Sequence, residues 1–464
     1  MREAELINLY QSQKNYFKTN QNPDSKSIIS QLKCLKAEIK ANEQLIIKAI
    51  HADFKKPEFE VLTTELFVVY KELNLFIKNI NSWRKPKRIS SDWLNFPSTD
   101  KIYHVPWGNC LIIAPWNYPF QLAITPLIGA IACGNTVILK PSEYAPNTAR
   151  VLETIISNVF DTKQAAVVQG AVEIAQNLLN LKWDYVFFTG SVPIGKIVSQ
   201  AIAKHMTPHT LELGGKNPCI ITKHAHLSIA VKRIIWGKYI NAGQTCIAPD
   251  YILIDKILKT EFIKEFKKQI EAFYGENIQK STDYSRIISD KHFDRLKNFI
   301  DTEQVIYGGQ NNKSHRFIAP SLIEAPKLDS NIMQEEIFGP LLPIFTFQDL
   351  NEVETIINKI DKPLALYAFT TNKAEQNYLI KNFDFGGGVI NDCIVHFVND
   401  KLPFGGVGAS GLGNDHGKHS FKTFTRQKSI VHRKNYIDIP IKYPPYNKTK
   451  LFKKFLSWFR SAKF

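Results

Sequence analysis

The chain has 464 residues, enough for about three domain-sized units. At 44% hydrophobic and 22% charged it has the composition of a folded multi-domain protein, which excludes a disordered or fibrous one. Half of its +16 net charge lies in residues 432–464, where nine Lys and Arg accompany a single Asp; with no RRM, helix-turn-helix or zinc-finger pattern elsewhere, the excess does not predict nucleic-acid binding.

In chain order, Ile28, Leu32, Leu35 and Ile39 recur at helical spacing. Leu66, Val69, Leu73, Phe76 and Ile77 do the same, and Pro86 ends that pattern. Residues 88–106 mix aromatic and β-branched types and predict a short hairpin. Strands are predicted at 111–114, 136–140, 166–169, 185–188 and 210–213, with helical stretches between the first four. Such alternation argues for βαβ units and a parallel sheet. A second series starts at 219–222 and continues through 251–254, 342–347, 364–370 and 389–391. The predicted class is therefore α/β, with two domains.

The six cysteines are scattered, with no C-x-x-C pair, so neither a metal site nor a disulfide framework is expected. The N-terminus lacks an apolar secretory core, and no run approaches the ~18–20 apolar residues of a membrane span. A cytoplasmic location is expected.

Four segments carry chemistry. Asn241-Ala-Gly-Gln-Thr-Cys-Ile-Ala-Pro-Asp-Tyr251 sets Cys246 in a small-residue turn between a helical pattern and a β-rich run. A thiol there can be presented to a substrate as a nucleophile, although a buried cysteine filling space would satisfy the same pattern. Phe188-Thr-Gly-Ser-Val-Pro-Ile-Gly195 follows a strand and opens a helix. Its Gly190, Ser191 and Gly195 could bring backbone N–H groups to a phosphate, or could be plain punctuation. Pro115-Trp-Asn-Tyr-Pro119 places Asn117 just after a strand, where its amide could stabilise an oxyanion or cap the next helix. Leu211-Glu-Leu-Gly-Gly-Lys-Asn-Pro218 sets Glu212 between two leucines, where burial would raise its pKa toward that of a general base.

Together these segments closely resemble the NAD(P)-dependent aldehyde dehydrogenases, and within them the class 3 branch acting on fatty or aromatic aldehydes. Lys140-Pro-Ser-Glu143, Glu335-Glu-Ile-Phe-Gly-Pro340, Pro403-Phe-Gly-Gly-Val-Gly-Ala-Ser-Gly411, His416-Gly-Lys418 and Tyr443-Pro-Pro445 extend the resemblance over roughly residues 60–446. The resemblance implies two doubly wound α/β domains. A Rossmann-type cofactor domain would comprise 1–86 and 107–212, and a catalytic domain 213–425. A small oligomerisation β-element would come from 88–106 and 426–444, leaving 445–464 as a basic tail.

It also implies roles. Cys246 resembles the nucleophile, Glu212 the general base, and Asn117 with the Cys246 backbone N–H the oxyanion hole. Lys140 and Glu336 resemble residues that hold the cofactor riboses. Glu143 would lie near the adenosine ribose, Ser191 near the pyrophosphate, and Phe338 on the nicotinamide side. No role carries over for His396, His416 or Glu335. The implied reaction is oxidation of medium- or long-chain aliphatic or aromatic aldehydes to acids, through a cysteine thioester, with NAD and possibly NADP, in a homodimer. A CoA-acylating relative and an inactive relative of the same fold are the competing readings. Residues 449–464, if helical, would gather Leu451, Phe452, Phe455, Leu456, Trp458 and Phe459 opposite Lys453, Lys454 and Arg460. That face suits either peripheral membrane contact or packing on protein.

Overall fold

The computed structural model describes residues 2–21, 23–92, 95–438, 443–445 and 450–461. Residues 2–83 and 106–426 form one compact unit, and 84–105 with the described part of 427–464 form a second.

The first sheet of the large unit is built on mostly apolar strands that are buried at every position. Asn109–Ile113, Thr136–Lys140 and Tyr185–Thr189 are buried along their whole length. Successive side chains point to opposite faces, so both faces need cover. Cys110, Ile112, Val137, Leu139, Tyr185 and Phe187 join one core, under the helices Ser25–Ala41, Glu43–Phe54 and Phe67–Trp83. Leu111, Ile113, Ile138, Val186 and Phe188 join the core of the other face, where Leu6 and Tyr10 of the Glu3–Thr19 helix also sit.

Six strands lie in the order 411–412, 209–212, 185–189, 109–113, 136–140, 165–167. All pair in parallel except Gly411–Leu412. The chain begins this sheet at 109–113, runs outward to 165–167, then returns to 185–189 on the other side. A doubly wound sheet binds ligands at that reversal, beyond the strands' carboxyl ends. Asn117 and Ser191 follow the two strands that flank it.

The second sheet has seven strands in the order 305–307, 321–324, 341–347, 251–255, 218–221, 365–369, 387–390. All pairs are parallel except 305–307 with 321–324. The two sheets are joined by residues 213–217, so Glu212 closes the first and Pro218 opens the second.

Two features differ from the sequence expectation. Ser321–Glu324 was not predicted, because four residues of mixed polarity carry no periodicity. The catalytic segment expected at 213–425 also does not stay with the second sheet: Gly411–Leu412 pairs with Glu212 and Leu211, and Phe421 and Phe424 enter the first sheet's core. Two small strand residues and one short helix are too brief to show that return in sequence.

In the second unit, Lys87–Ile89 pairs antiparallel with Ser98–Pro106, and Thr425–Arg433 completes a three-stranded sheet. Its helix Lys450–Ser461 exposes Lys453, Lys454, Trp458 and Phe459. The side chains of Leu451, Phe452 and Phe455, and residues 449 and 462–464, lie outside those described. No described helix is long and apolar enough to cross a membrane.

Candidate active site

The Leu227–Tyr239 helix ends in a turn that is left-handed at three successive residues: Asn241 (φ 55°), Ala242 (φ 51°) and Gly243 (φ 77°). Only glycine adopts that conformation without cost, so the turn needs external support. Asn241 Nδ2 donates to the Asn117 carbonyl at 2.8 Å and to the Gln244 carbonyl at 3.2 Å. Gln244 Nε2 donates to the Arg286 carbonyl at 3.0 Å, and its Oε1 accepts from Ile288 N at 3.0 Å. Asn217, on the crossover between the sheets, donates to the carbonyls of Cys246 at 2.7 Å and Ala248 at 3.0 Å. Cys246 is thus fixed on both sides.

Cys246 is the one partly exposed cysteine; Cys34 is exposed and the other four are buried. Its low-polarity surroundings push the thiol pKa far up, and the nearby Glu336 and Glu212 carboxyls add to the rise. The backbone N–H groups of Cys246 and Ile247 oppose it by favouring the thiolate.

The loop after the 109–113 strand meets the cysteine turn from the other side. Asn117 Nδ2 donates to the Gln244 carbonyl at 3.1 Å, and the Tyr118 and Thr245 hydroxyls lie 2.7 Å apart. Glu212 is 4% exposed, with its Oε1 left without a hydrogen-bond partner. Burial raises its pKa well above the ordinary carboxyl value, Asp415 raises it further, and the Thr189 hydroxyl opposes the shift.

Cys246 and Glu212 open into one cavity of about 910 Å³. Its walls are mostly apolar, with Phe59, Leu62, Phe67, Trp236, Phe273 and Phe397 prominent. Asn117 and the seven cofactor-side residues singled out in the sequence lie outside this lining. Lys140 is buried, and its Nζ pairs with Glu143 at 2.7 Å. Glu336 is half-buried, and burial lifts its pKa to about 8, with Asp250 adding and the Gly215 N–H opposing. Any side chain at Gly214 would overlap the Glu336 carboxylate. Phe338 sits edge-to-face with Trp116 at 5.2 Å, beside His292.

Residues 3–430 match the aldehyde dehydrogenase family along an unbroken stretch. The chain belongs to that family. It is 45% identical over 445 residues to the 4,4'-diaponeurosporen-aldehyde dehydrogenase of Staphylococcus aureus, covering 95% of this chain and 97% of that one. It is 42% identical over 425 residues to aldehyde dehydrogenase family 3 member A2 of Pongo abelii, covering 91% and 88%. A solved structure of the Staphylococcus aureus enzyme AldH in a substrate-bound state superposes with a TM-score of 0.95 at 43% identity, over 98% and 99% of the two chains. The fold is that of an aldehyde dehydrogenase of the class 3 branch, and the reaction is NAD(P)-dependent oxidation of an aldehyde to its acid.

The turn at 189–195, expected to meet the cofactor phosphates, uses its glycine amides within the backbone of this aldehyde dehydrogenase. The Gly190 N–H donates to the Glu212 carbonyl at 3.0 Å and the Gly195 N–H to the Ser191 carbonyl at 2.9 Å, so neither amide is free for a phosphate. Gly195 instead admits the Leu213 methyls, which a Cβ would meet at 2.6 Å. Ser191 is exposed at the head of the Val192–Ala203 helix, and its hydroxyl makes no bond to the helix amides. An exposed hydroxyl at a helix start, the Lys140 ammonium and the Glu143 and Glu336 carboxyls fit the phosphates and ribose hydroxyls of a dinucleotide. Of the residues without a carried-over role, His416 stacks edge-on to Phe397 at 4.5 Å, and Glu335 approaches Arg295 at 3.7 Å.

Sequence reasoning missed several buried polar groups. Lys56 and Glu65 form a fully buried pair at 2.9 Å, and Lys216 pairs with Asp250. Lys238 is buried with its Nζ unpartnered, and burial lowers its pKa to about 8. Glu65 and Lys238 lie on helical stretches, where charge reads as a solvated face, and Lys56, Lys216 and Asp250 lie on connections with no periodic pattern to single them out.

Proposed function

We propose that Cys246, Asn117 and Glu212 carry out the oxidation, on long apolar aldehydes. The observation that supports this reading most is the shared cavity: one apolar tunnel holds both the thiol and the only carboxyl on its wall that closes a strand of the cofactor-type sheet. Its volume lies near the upper end of ordinary small-molecule sites, ~300–1,000 Å³.

Cys246 loses its thiol proton to solvent, and the Sγ thiolate attacks the aldehyde carbon. Asn117 keeps one N–H on the Gln244 carbonyl, which orients the amide and leaves its second N–H for the oxyanion. The Cys246 backbone N–H supplies the other donor; one such donor is typically worth ~3–4 kcal/mol in the transition state. Bound NAD(P), which Lys140, Glu143, Ser191, Glu336 and Phe338 would hold, supplies the hydride acceptor. Glu212 then takes a proton from the water that cleaves the Cys246 thioester. Its raised pKa suits that task, because it brings the carboxyl toward the working pH. Hydrolysis by a glutamate base favours the free acid over transfer to CoA.

The test is a panel of aldehydes of graded chain length, with 4,4'-diaponeurosporen-aldehyde included, against NAD and NADP without CoA. We expect kcat/KM to rise with chain length. A flat profile, or turnover that requires CoA, contradicts the reading.

We assign the sheet of 87–89, 98–106 and 425–433 to pairing of two subunits, and the basic helix 450–461 to an anionic cytoplasmic membrane surface. Each basic side chain near such a surface contributes ~1 kcal/mol. Sedimentation of the full chain and of a chain ending at Asn447, with and without anionic vesicles, tests both. Equal vesicle binding removes the membrane role, and a monomeric full chain removes the pairing.

A further inference from the structure

We infer that Glu60 is a positioning residue: from the wall of the substrate tunnel, its carboxylate holds the left-handed turn that presents Cys246. This rests on the reading of Cys246 as the nucleophile.

The turn 241–243 places an alanine and an asparagine in a conformation that L side chains disfavour, immediately before the thiol. The side chains of Asn241 and Gln244 tie its later atoms. Its first amide, Asn241 N, donates to Glu60 Oε2 at 3.0 Å, from a residue 181 positions away. Glu60 lies on the Glu58–Val61 turn, next to the Leu62–Leu66 helical turn, and both Glu60 and its neighbours Phe59 and Leu62 line the tunnel.

The surrounding charges make Glu60 part of a larger clamp. Lys56 attracts its carboxylate, and Asp283 repels it. Lys56 also pairs with Glu65 and sits 3.8 Å from the centre of the Tyr118 ring. Glu65 Oε2 accepts from Phe120 N at 2.9 Å and Gln121 N at 3.1 Å. One short segment, 56–65, therefore grips the loop that carries Asn117 and the turn that carries Cys246. Burial lifts the Glu60 pKa to about 7, with Lys56 and the Asn241 N–H holding it back. No hydrogen bond links Glu60 to Cys246, so it acts through the backbone of 241–246. The same segment lines the cavity and braces the turn that carries the nucleophile.

The experiment compares full-length Glu60→Met, Glu60→Ala, Glu60→Gln and Glu60→Ala/Ala242→Gly with wild type and Cys246→Ala. It measures kcat, KM, the rate of Cys246 alkylation by iodoacetamide, and Tm. Methionine fills the space of Glu60 without an acceptor, and glutamine keeps an acceptor oxygen. We expect Glu60→Met and Glu60→Ala to lower kcat and alter the alkylation rate by about 10- to 100-fold, the range that misplacement of a reacting group produces. Glu60→Gln should stay near wild type, and Ala242→Gly should recover part of the loss in the Glu60→Ala background by easing the left-handed turn. A merely lining residue would change KM alone. A folded Glu60→Met with wild-type kcat and alkylation, while Cys246→Ala is inactive, overturns the brace and leaves the nucleophile in place. Wild-type activity in Cys246→Ala instead overturns the underlying assignment.

Discussion

The turns at 189–195 and 241–246 look alike in the sequence: small residues, glycines and a hydroxyl or thiol at a junction of strand and helix. In the structure they are built on different principles. At 189–195 the glycine amides close ordinary backbone bonds, and Gly195 gives room to the Leu213 side chain. At 241–246 three residues are held left-handed, and side chains from distant parts of the chain fasten the turn. A junction that merely changes direction needs small residues, whereas one that presents a reacting atom also needs its backbone held against relaxation.

Removing the sulfur should produce the largest difference between the two turns. Cys246→Ala is expected to lower kcat by on the order of 10³-fold or more, with NAD binding measured by fluorescence titration little changed. The same substitution made in each turn should sharpen the contrast next. Gly243→Ala puts a Cβ against the backbone carbonyls of Gly339 and Lys238 at positive φ, and should cost roughly 3–5 kcal/mol of stability. Gly195→Ala meets only side-chain methyls and gains helix propensity, so its net change should stay within about 1 kcal/mol. Urea midpoints of the two variants settle this, and equal losses would erase the distinction.

The thiol's environment gives a pH test of the cysteine turn. A raised pKa leaves Cys246 protonated at neutral pH, so its thiolate fraction grows as pH rises. Alkylation of the cofactor-free enzyme should therefore increase about tenfold per pH unit through the mildly alkaline range. A plateau there would mean that the thiol is already ionised. The smallest effect belongs to the other turn: Ser191→Ala should raise the KM for NAD a few-fold and leave kcat near wild type, about what one exposed hydrogen bond contributes.

Much of this architecture was legible because the first sheet is buried on both faces. Continuous runs such as Thr136–Lys140 and Tyr185–Thr189 need no partner to be recognised. Ser321–Glu324 and Gly411–Leu412 are short and owe their place to neighbours far along the chain, so no local pattern announces them. The site divides in the same way. Cys246, Glu212 and Asn117 lie in motifs whose residue types carry chemistry by themselves. Glu60 and Glu65 lie on helical turns and Lys56 on the loop before them, where charge normally marks solvent, and only tertiary contact turns them inward. At Gly190 and Gly195 the glycines suggested a phosphate cradle, and the structure adds that these two amides bond to the Glu212 and Ser191 carbonyls.

The central claim is that Cys246 and Glu212 divide the reaction between them, one forming the thioester and the other hydrolysing it. Glu212→Gln, mixed with saturating NAD and a long-chain aldehyde, tests that division within a single turnover. One equivalent of NADH per site, followed by slow turnover and an acyl adduct on Cys246 in the intact mass, is the predicted result. Rapid multiple turnover without an adduct would contradict it.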